Sequence, residues 1–449
     1  MRARSFLLIC PLLAPLLPQD VPGQSMEDQA FQIEAAVERF GSREIWPGYD
    51  PTTIPLAIFD GARTWLFRHP SPPPEFRSWP GKDGVWVTED LHTAVRANST
   101  TALGGVQTAT LLLPSLMDFP SVADRAGVAI HEAFHAYQQR EHPHWGPGSM
   151  GLENPATDAR LLAFRRLETN LLRRAVNDLD MERSASLAAA ALEVRRQRFD
   201  HLPASMAAFE RGLELMEGTA QHVQVTATGS RTGLMPLPEE GFGPEATFMR
   251  SYSVGLALVI LLERFDPDWE MALERGQFSS LDAALAAAIE EPAADWREDL
   301  PAALRQAEED VRRLAATRDS LRDAFLSQDG WRVILTAPES APLQLRNLDP
   351  ANLTSLGGSE LLHTRWLRVG HEAGEAEVLD RNALTLGRDG EPLANGFLRL
   401  TVTGLAARPM VEDEGEKVLI RGEGFEGEFQ GVRIEREGRT LWIRLLGGQ

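Results

Sequence analysis

Residues 129–138 read AIHEAFHAYQ, two histidines four residues apart with a glutamate directly after the first. On a helix turning 100° per residue, His131 and His135 lie about 40° apart on one face, so their imidazoles converge on one point. Their neighbours Val128, Ala129, Ile130, Ala133, Phe134 and Ala136 are apolar, and a helix apolar nearly all round is a buried one. Two imidazoles and a carboxylate in such surroundings cost several kcal/mol unless each is paired, protonated or metal-bound. Zinc removes that cost, because neutral imidazole is its common ligand and the dication offsets a nearby carboxylate. The pattern His-Glu-x-x-His gives the histidines to the metal. Glu132, about 100° further round the helix, reaches the metal-bound water as its base. A chain of this composition would show the pattern by chance about 0.02 times. Two core histidines satisfied by backbone carbonyls are the plainer alternative.

A catalytic zinc site needs a third protein ligand and an open position for water. The metzincin pattern, which adds a third local histidine, would need glycine at 138 and histidine at 141, where the chain has Gln138 and Glu141. The following EHPHWGPGS reads as a solvated loop, with Glu141, His142 and His144 as minor local donors. A second helix, LELMEGTAQHV, offers a carboxylate instead. Phe209, Leu213, Met216, Ala220 and Val223 define its apolar stripe. Glu217 lies about 80° from the centre of that stripe, Glu210 about 100° and Glu214 about 140°, so Glu217 is the best placed to face inward. The small residues Gly218, Thr219 and Ala220 allow close approach to another helix.

HEAFHAYQ followed by EGTAQHV resembles the gluzincin (peptidase MA-type) metallopeptidases, over roughly residues 54–290. The resemblance implies one zinc ion per chain held by His131, His135 and Glu217, Glu132 as general base, and a peptide or protein substrate. In several gluzincins a later Tyr-x-x-Gly element supplies a phenol to the oxyanion, and MRSYSVGLALVILLERF nominates Tyr252 for that role. Tyr49, Tyr137 and Tyr252 are the only tyrosines, and Arg250 and His222 are the competing electrophiles. Two features depart from the resemblance. Gln221 stands where some members have an aspartate that orients the first histidine, and Glu217 follows His135 by 82 positions, more than in the compact members. A catalytically silent zincin fold used for binding, and a zinc hydrolase of a non-peptide bond, are the alternative functions.

The elements that must position these residues follow from periodicity and turn signals. SMEDQAFQIEAAVERFGS reads as a first helix. From about Ile54 to Pro114 the texture is β, with IPLAIF and RTWLFR around an Asp-Gly turn, then GVWVTE, TAVRA and VQTATLLL. VQTATLLLPS stands just ahead of the motif. It is read either as an edge strand that binds extended peptide by β-augmentation or as an internal strand. From Val122 to about Gln328 the pattern is helical, and its acidic last stretch, Ala293 to Gln328, is a connector or a shield over the cleft. Beyond Trp331, short turn-punctuated segments such as WRVILT, LLHTRWLRV, FLRLTVT and TLWIRL predict an all-β domain. The fold class is therefore α+β. Residues 25–330 form a zincin-like catalytic domain, a small N-terminal β-sheet followed by a helical region, and residues 331–449 form the C-terminal β domain.

Residues 1–24 have the layout of a secretory signal: two arginines, an apolar run from Phe6 to Leu17, then a polar stretch. The expected product is exported, periplasmic or extracellular, and soluble after cleavage. The single cysteine, Cys10, lies within this segment, so the mature chain has no disulfide, thiol nucleophile or thiolate ligand. The formal charge of −20 argues against nucleic-acid and anionic-membrane partners. No later segment is apolar enough for stable membrane insertion.

Overall fold

The computed structural model describes residues 25–147, 158–244, 246–349, 352–388, 392–415 and 417–446. The expected signal segment 1–24, with Cys10, lies outside the described residues. The chain gathers into two compact units. One comprises the described residues up to Tyr137 together with Val223–Gly233, the other Gln138–His222 and the residues from Leu234 on.

The first unit begins with helix α1 (Met26–Gly41), where Ser25 and Asp28 form a reciprocal capping box. Six strands follow: β1 (Leu56–Phe59), β2 (Arg63–Phe67), β3 (Arg77–Ser78), β4 (Val85–Glu89), β5 (Ser99–Leu103) and β6 (Val106–Leu112). They form one sheet in the order β3-β4-β2-β1-β6-β5, in which β1 and β6 run parallel. The expected Asp-Gly turn joins β1 to β2. Gly61 takes φ +100° there, and the Asp60 carboxylate accepts from Ala62 N at 2.8 Å, Arg63 N at 2.7 Å and Trp65 Nε1 at 2.7 Å.

One sequence expectation for this sheet is corrected, and one open alternative is decided. TAVRA, residues 93–97, is a turn rather than a strand: Val95 N donates to His92 O at 2.9 Å. Pairing with β6 starts only at Ser99, because the Asn98 side chain accepts from Leu112 N at 2.8 Å in place of a backbone partner. Of the two readings of VQTATLLL the internal one holds: it pairs with β1 on one side and β5 on the other, and the edge strand is β5. After the sheet comes α2 (Val122–Glu141), which carries the histidine motif.

The second unit holds α3 (Ala159–Asn177), α4 (Met181–Phe199), α5 (Ala204–Thr228), α6 (Thr247–Phe265), α7 (Trp269–Glu274), α8 (Leu281–Ala288) and α9 (Leu300–Leu326). The boundaries between the two units fall inside α2, after Tyr137, and inside α5, after His222. Helix α9 packs against both the helices and the strands that follow. Its Ala307, with Leu304 and Val311 beside it, packs on Leu162 and Ala163 of α3. Its far end inserts Phe325 among Leu356, Leu362 and Leu384 of the strand region.

That strand region contains a seven-stranded sheet, with Arg433–Glu437 and Leu353–Gly357 at its edges, and a six-stranded sheet, with Met410–Asp413 and Gln344–Leu348 at its edges. One core joins them, formed by Val333, Leu335, Phe397 and Ile443 from the first sheet and Val369, Val378, Phe425 and Phe429 from the second. Alternating burial, as in Phe425–Phe429, is the signature of strands with one face in such a core. Among the described residues, no helix is long and apolar enough to cross a membrane.

Candidate metal centre

Helix α2 is held by what its backbone and aromatic residues meet. Tyr49 Oη donates to Ile130 O at 3.0 Å, Tyr137 Oη donates to Pro47 O at 3.2 Å, and Phe134 packs edge-on against Trp46 and Tyr49. Two of the three tyrosines are thus engaged in fixing this helix. On the edge strand β5, Thr100 Oγ1 donates to the carbonyl of Glu132, which sets that strand beside the motif.

His131 is buried, His135 half-buried and Glu132 buried. The Nε2 atoms of the two histidines lie 3.2 Å apart. Two nitrogens at zinc-ligand distance from one ion, at a tetrahedral angle, are separated by about 3.3 Å. Glu217, 3 % exposed, completes the group: ligand atoms of His131, His135 and Glu217 all lie within 4.8 Å of one another. Two imidazoles and one carboxylate, with only His135 half-buried, could hold a metal ion and leave room in its coordination sphere for water or substrate.

Glu217 belongs to a polar stripe on α5. Glu210, Glu214, Glu217 and Gln221 fall within about 60° of one another on the helix, and all four are buried. The helical wheel ranks Glu217 ahead of Glu210 and Glu214 for facing inward, yet the structure buries all three. The reason is a cluster of buried arginines. Arg198 grips Glu210 in two bonds of 2.9 and 2.7 Å. Arg195 donates to Glu168 at 2.6 Å and pairs with Glu214 and, at 3.1 Å, with Asp282. Arg250 donates to Glu168 at 2.6 Å and to Glu214 at 3.2 Å. Burial opposes ionisation of Glu168, but Arg198, Arg250 and Arg195 outweigh it and hold its carboxyl far below the usual range. Sequence reasoning missed this cluster. Its signal was present in two arginines three apart on the alanine-rich α4 and in acidic residues at four- and three-residue spacing on α5.

The cluster also removes competitors. Glu214 is committed to arginines rather than to a metal, and Arg250, 1 % exposed, is committed to carboxylates rather than to an oxyanion. His222 is bracketed, Nε2 by Glu270 at 2.7 Å and Nδ1 by Glu263 at 3.2 Å. Burial works against its charge, yet the hydrogen bonds to Glu263 and Glu270 push its pKa up to about 8. His142 contacts Glu274 at 2.9 Å and stacks on Trp145. Glu141 is exposed beside Arg140 and His144 is exposed.

Tyr252 is half-buried on α6. That helix meets α5 backbone to backbone: a Cβ added at Gly255 would lie 2.5 Å from Glu214 O and 2.9 Å from Gly218 Cα. The contact adjoins Glu217 on one helix and comes one turn after Tyr252 on the other. Gln221, at the position where the resemblance expects aspartate, is buried, and its Oε1 has no hydrogen-bond partner among the described residues.

Compared with protein-family models, curated proteins and solved structures, the chain finds no match.

Proposed function

We propose that the chain is an exported, zinc-dependent metallopeptidase of the gluzincin type, with a zincin-like catalytic region and a C-terminal β domain. The observation that carries this reading is the convergence of ligand atoms of His131, His135 and Glu217 within 4.8 Å on buried ground, with Glu132 adjacent in sequence. A base at that position has no purpose in a purely structural zinc site.

His131, His135 and Glu217 hold the metal. When bound, zinc supplies Lewis acidity toward a carbonyl oxygen and lowers the pKa of water. Glu132 takes the proton from the attacking water as the carbon–oxygen bond forms, and delivers it to the leaving amine as the carbon–nitrogen bond breaks. Tyr252 donates its phenol to the oxyanion. The outer edge of β5, beside the motif through the Thr100 bond, offers backbone groups to an extended peptide.

Elemental analysis of the protein purified without added metal, in parallel with Glu217→Ala, tests the metal centre. About one zinc per chain in the parent and much less in the variant supports it. No zinc in the parent, even after reconstitution, returns the histidines to a core role and ends the peptidase reading. Incubation with a degenerate peptide library then separates the alternatives. Cleavage lost in Glu132→Gln supports a peptidase, binding without turnover supports a silent zincin fold, and neither points to a non-peptide substrate.

A further inference from the structure

The face of α2 that carries the two histidines continues past them. Gln138 lies about 20° from His131 and about 60° from His135 around the helix axis, one turn beyond the motif. It is 2 % exposed, and its amide nitrogen makes two bonds to α5, to Met216 O at 2.9 Å and to Thr219 Oγ1 at 2.8 Å. These partners flank Glu217 in sequence.

The chemistry fixes the orientation of that amide. A backbone carbonyl only accepts, so the atom facing Met216 is the nitrogen. Thr219 Oγ1 spends its own hydrogen on Leu215 O at 2.7 Å, so it too receives from Gln138. Both amide hydrogens are therefore used on one turn of α5, the turn that carries Glu217. On its other flank α5 is set by the Gly218–Gly255 backbone contact and by the Arg250–Glu214 bond. A helix gripped on both sides can neither slide nor rotate without breaking buried hydrogen bonds.

We infer that Gln138 is a positioning residue for the metal centre: through Met216 and Thr219 it sets the height and rotation of Glu217 against His131 and His135. The inference rests on the metal reading above. It gives the side chain where a third local histidine ligand would require glycine a distinct role, that of registering the ligand-bearing turn of a second helix.

The test compares the parent with Gln138→Leu, which keeps the bulk and loses both donors, with Thr219→Val, which loses one acceptor, and with Thr219→Ser, which keeps it. Zinc affinity is measured by competition with a chromophoric chelator, the visible spectrum of the cobalt-substituted protein reports ligand geometry, and melting of the metal-free chain reports folding. Gln138→Leu is expected to weaken zinc about tenfold or more and to change the cobalt spectrum. Thr219→Val is expected to do so less, and Thr219→Ser to match the parent. Unchanged zinc affinity and cobalt spectrum in Gln138→Leu, with only a lower melting temperature, would overturn the inference and leave the metal centre standing. If that variant does not fold, Thr219→Val decides in the same way. A parent that binds neither ion overturns the metal reading itself, and the inference with it.

Discussion

The imidazole planes of His131 and His135 stand 89° apart, with ring centroids 4.8 Å from each other and Nε2 facing Nε2. Two imidazoles so placed gain one hydrogen bond from each other, whereas one ion can use a lone pair from each. Chelation is therefore expected to lower the melting temperature. An ion present at a thousand times its dissociation constant adds about 4 kcal/mol. In His135→Ala, chelator and zinc should leave the melting curve in place, as differential scanning calorimetry would show.

Glu132→Gln keeps size and burial but removes the base. Zinc content should stay at the parent value while kcat/KM on a cleaved peptide falls by about 10² to 10⁴. Loss of zinc along with activity would instead count Glu132 among the ligands.

Tyr252→Phe removes one hydroxyl from the helix that touches α5 at Gly255. A donor to the oxyanion is worth about 10² to 10³ in kcat, with KM and zinc content unchanged. If the ring merely anchors α6, kcat holds and only the melting temperature moves.

Glu168 is 0 % exposed and faces Arg195, Arg198 and Arg250. Replacing it with alanine strands arginine charge in the interior, and urea denaturation should show a loss of about 3 to 5 kcal/mol. A loss under about 1 kcal/mol would mean that water reaches the cluster.

His363, on the strand Glu360–His363, is 1 % exposed. Thr385 donates its hydroxyl to Leu361 O at 3.4 Å and so accepts from His363 Nε2 at 3.0 Å, which leaves Nδ1 without a partner among the described residues. Burial lowers the pKa from 6.5 to about 3. The folded chain holds this ring neutral, so its contribution is complete above 6.5 and shrinks as pH falls toward 3, by about 1.4 kcal/mol for each unit. Chemical denaturation between pH 7 and 4 should show that slope in the parent and a shallower one in His363→Leu.

Elements with strong local signals were legible in the sequence. The capped first helix, the Asp-Gly hairpin, the long helices and the strands after Trp331 stand where periodicity and turn residues put them. The grouping of His131, His135 and Glu217 was legible because His-Glu-x-x-His is a local pattern and Glu217 lies on one amphipathic helix. Lost to sequence reading were features fixed by partners far along the chain. TAVRA has strand-forming residues but turns because side chains of His92 and Asn98 take over backbone bonds. Glu210 and Glu214 look like surface charge until Arg195, Arg198 and Arg250 arrive from two other helices. LLHTRWLRV reads as one strand, yet it divides into Glu360–His363 and Trp366–His371, in different sheets.

The passage of α5 from one compact unit into the other bears on how the chain is made. The unit that contains the N-terminal sheet and most of α2 is completed by Val223–Gly233. A growing chain therefore leaves that unit open while the next 85 residues, Gln138 to His222, are synthesised, several seconds or more at ordinary translation rates. During that interval the apolar face of α2 has no finished home. Early release of a nascent chain, before residue 233 has emerged, would yield an aggregation-prone fragment rather than a small folded domain.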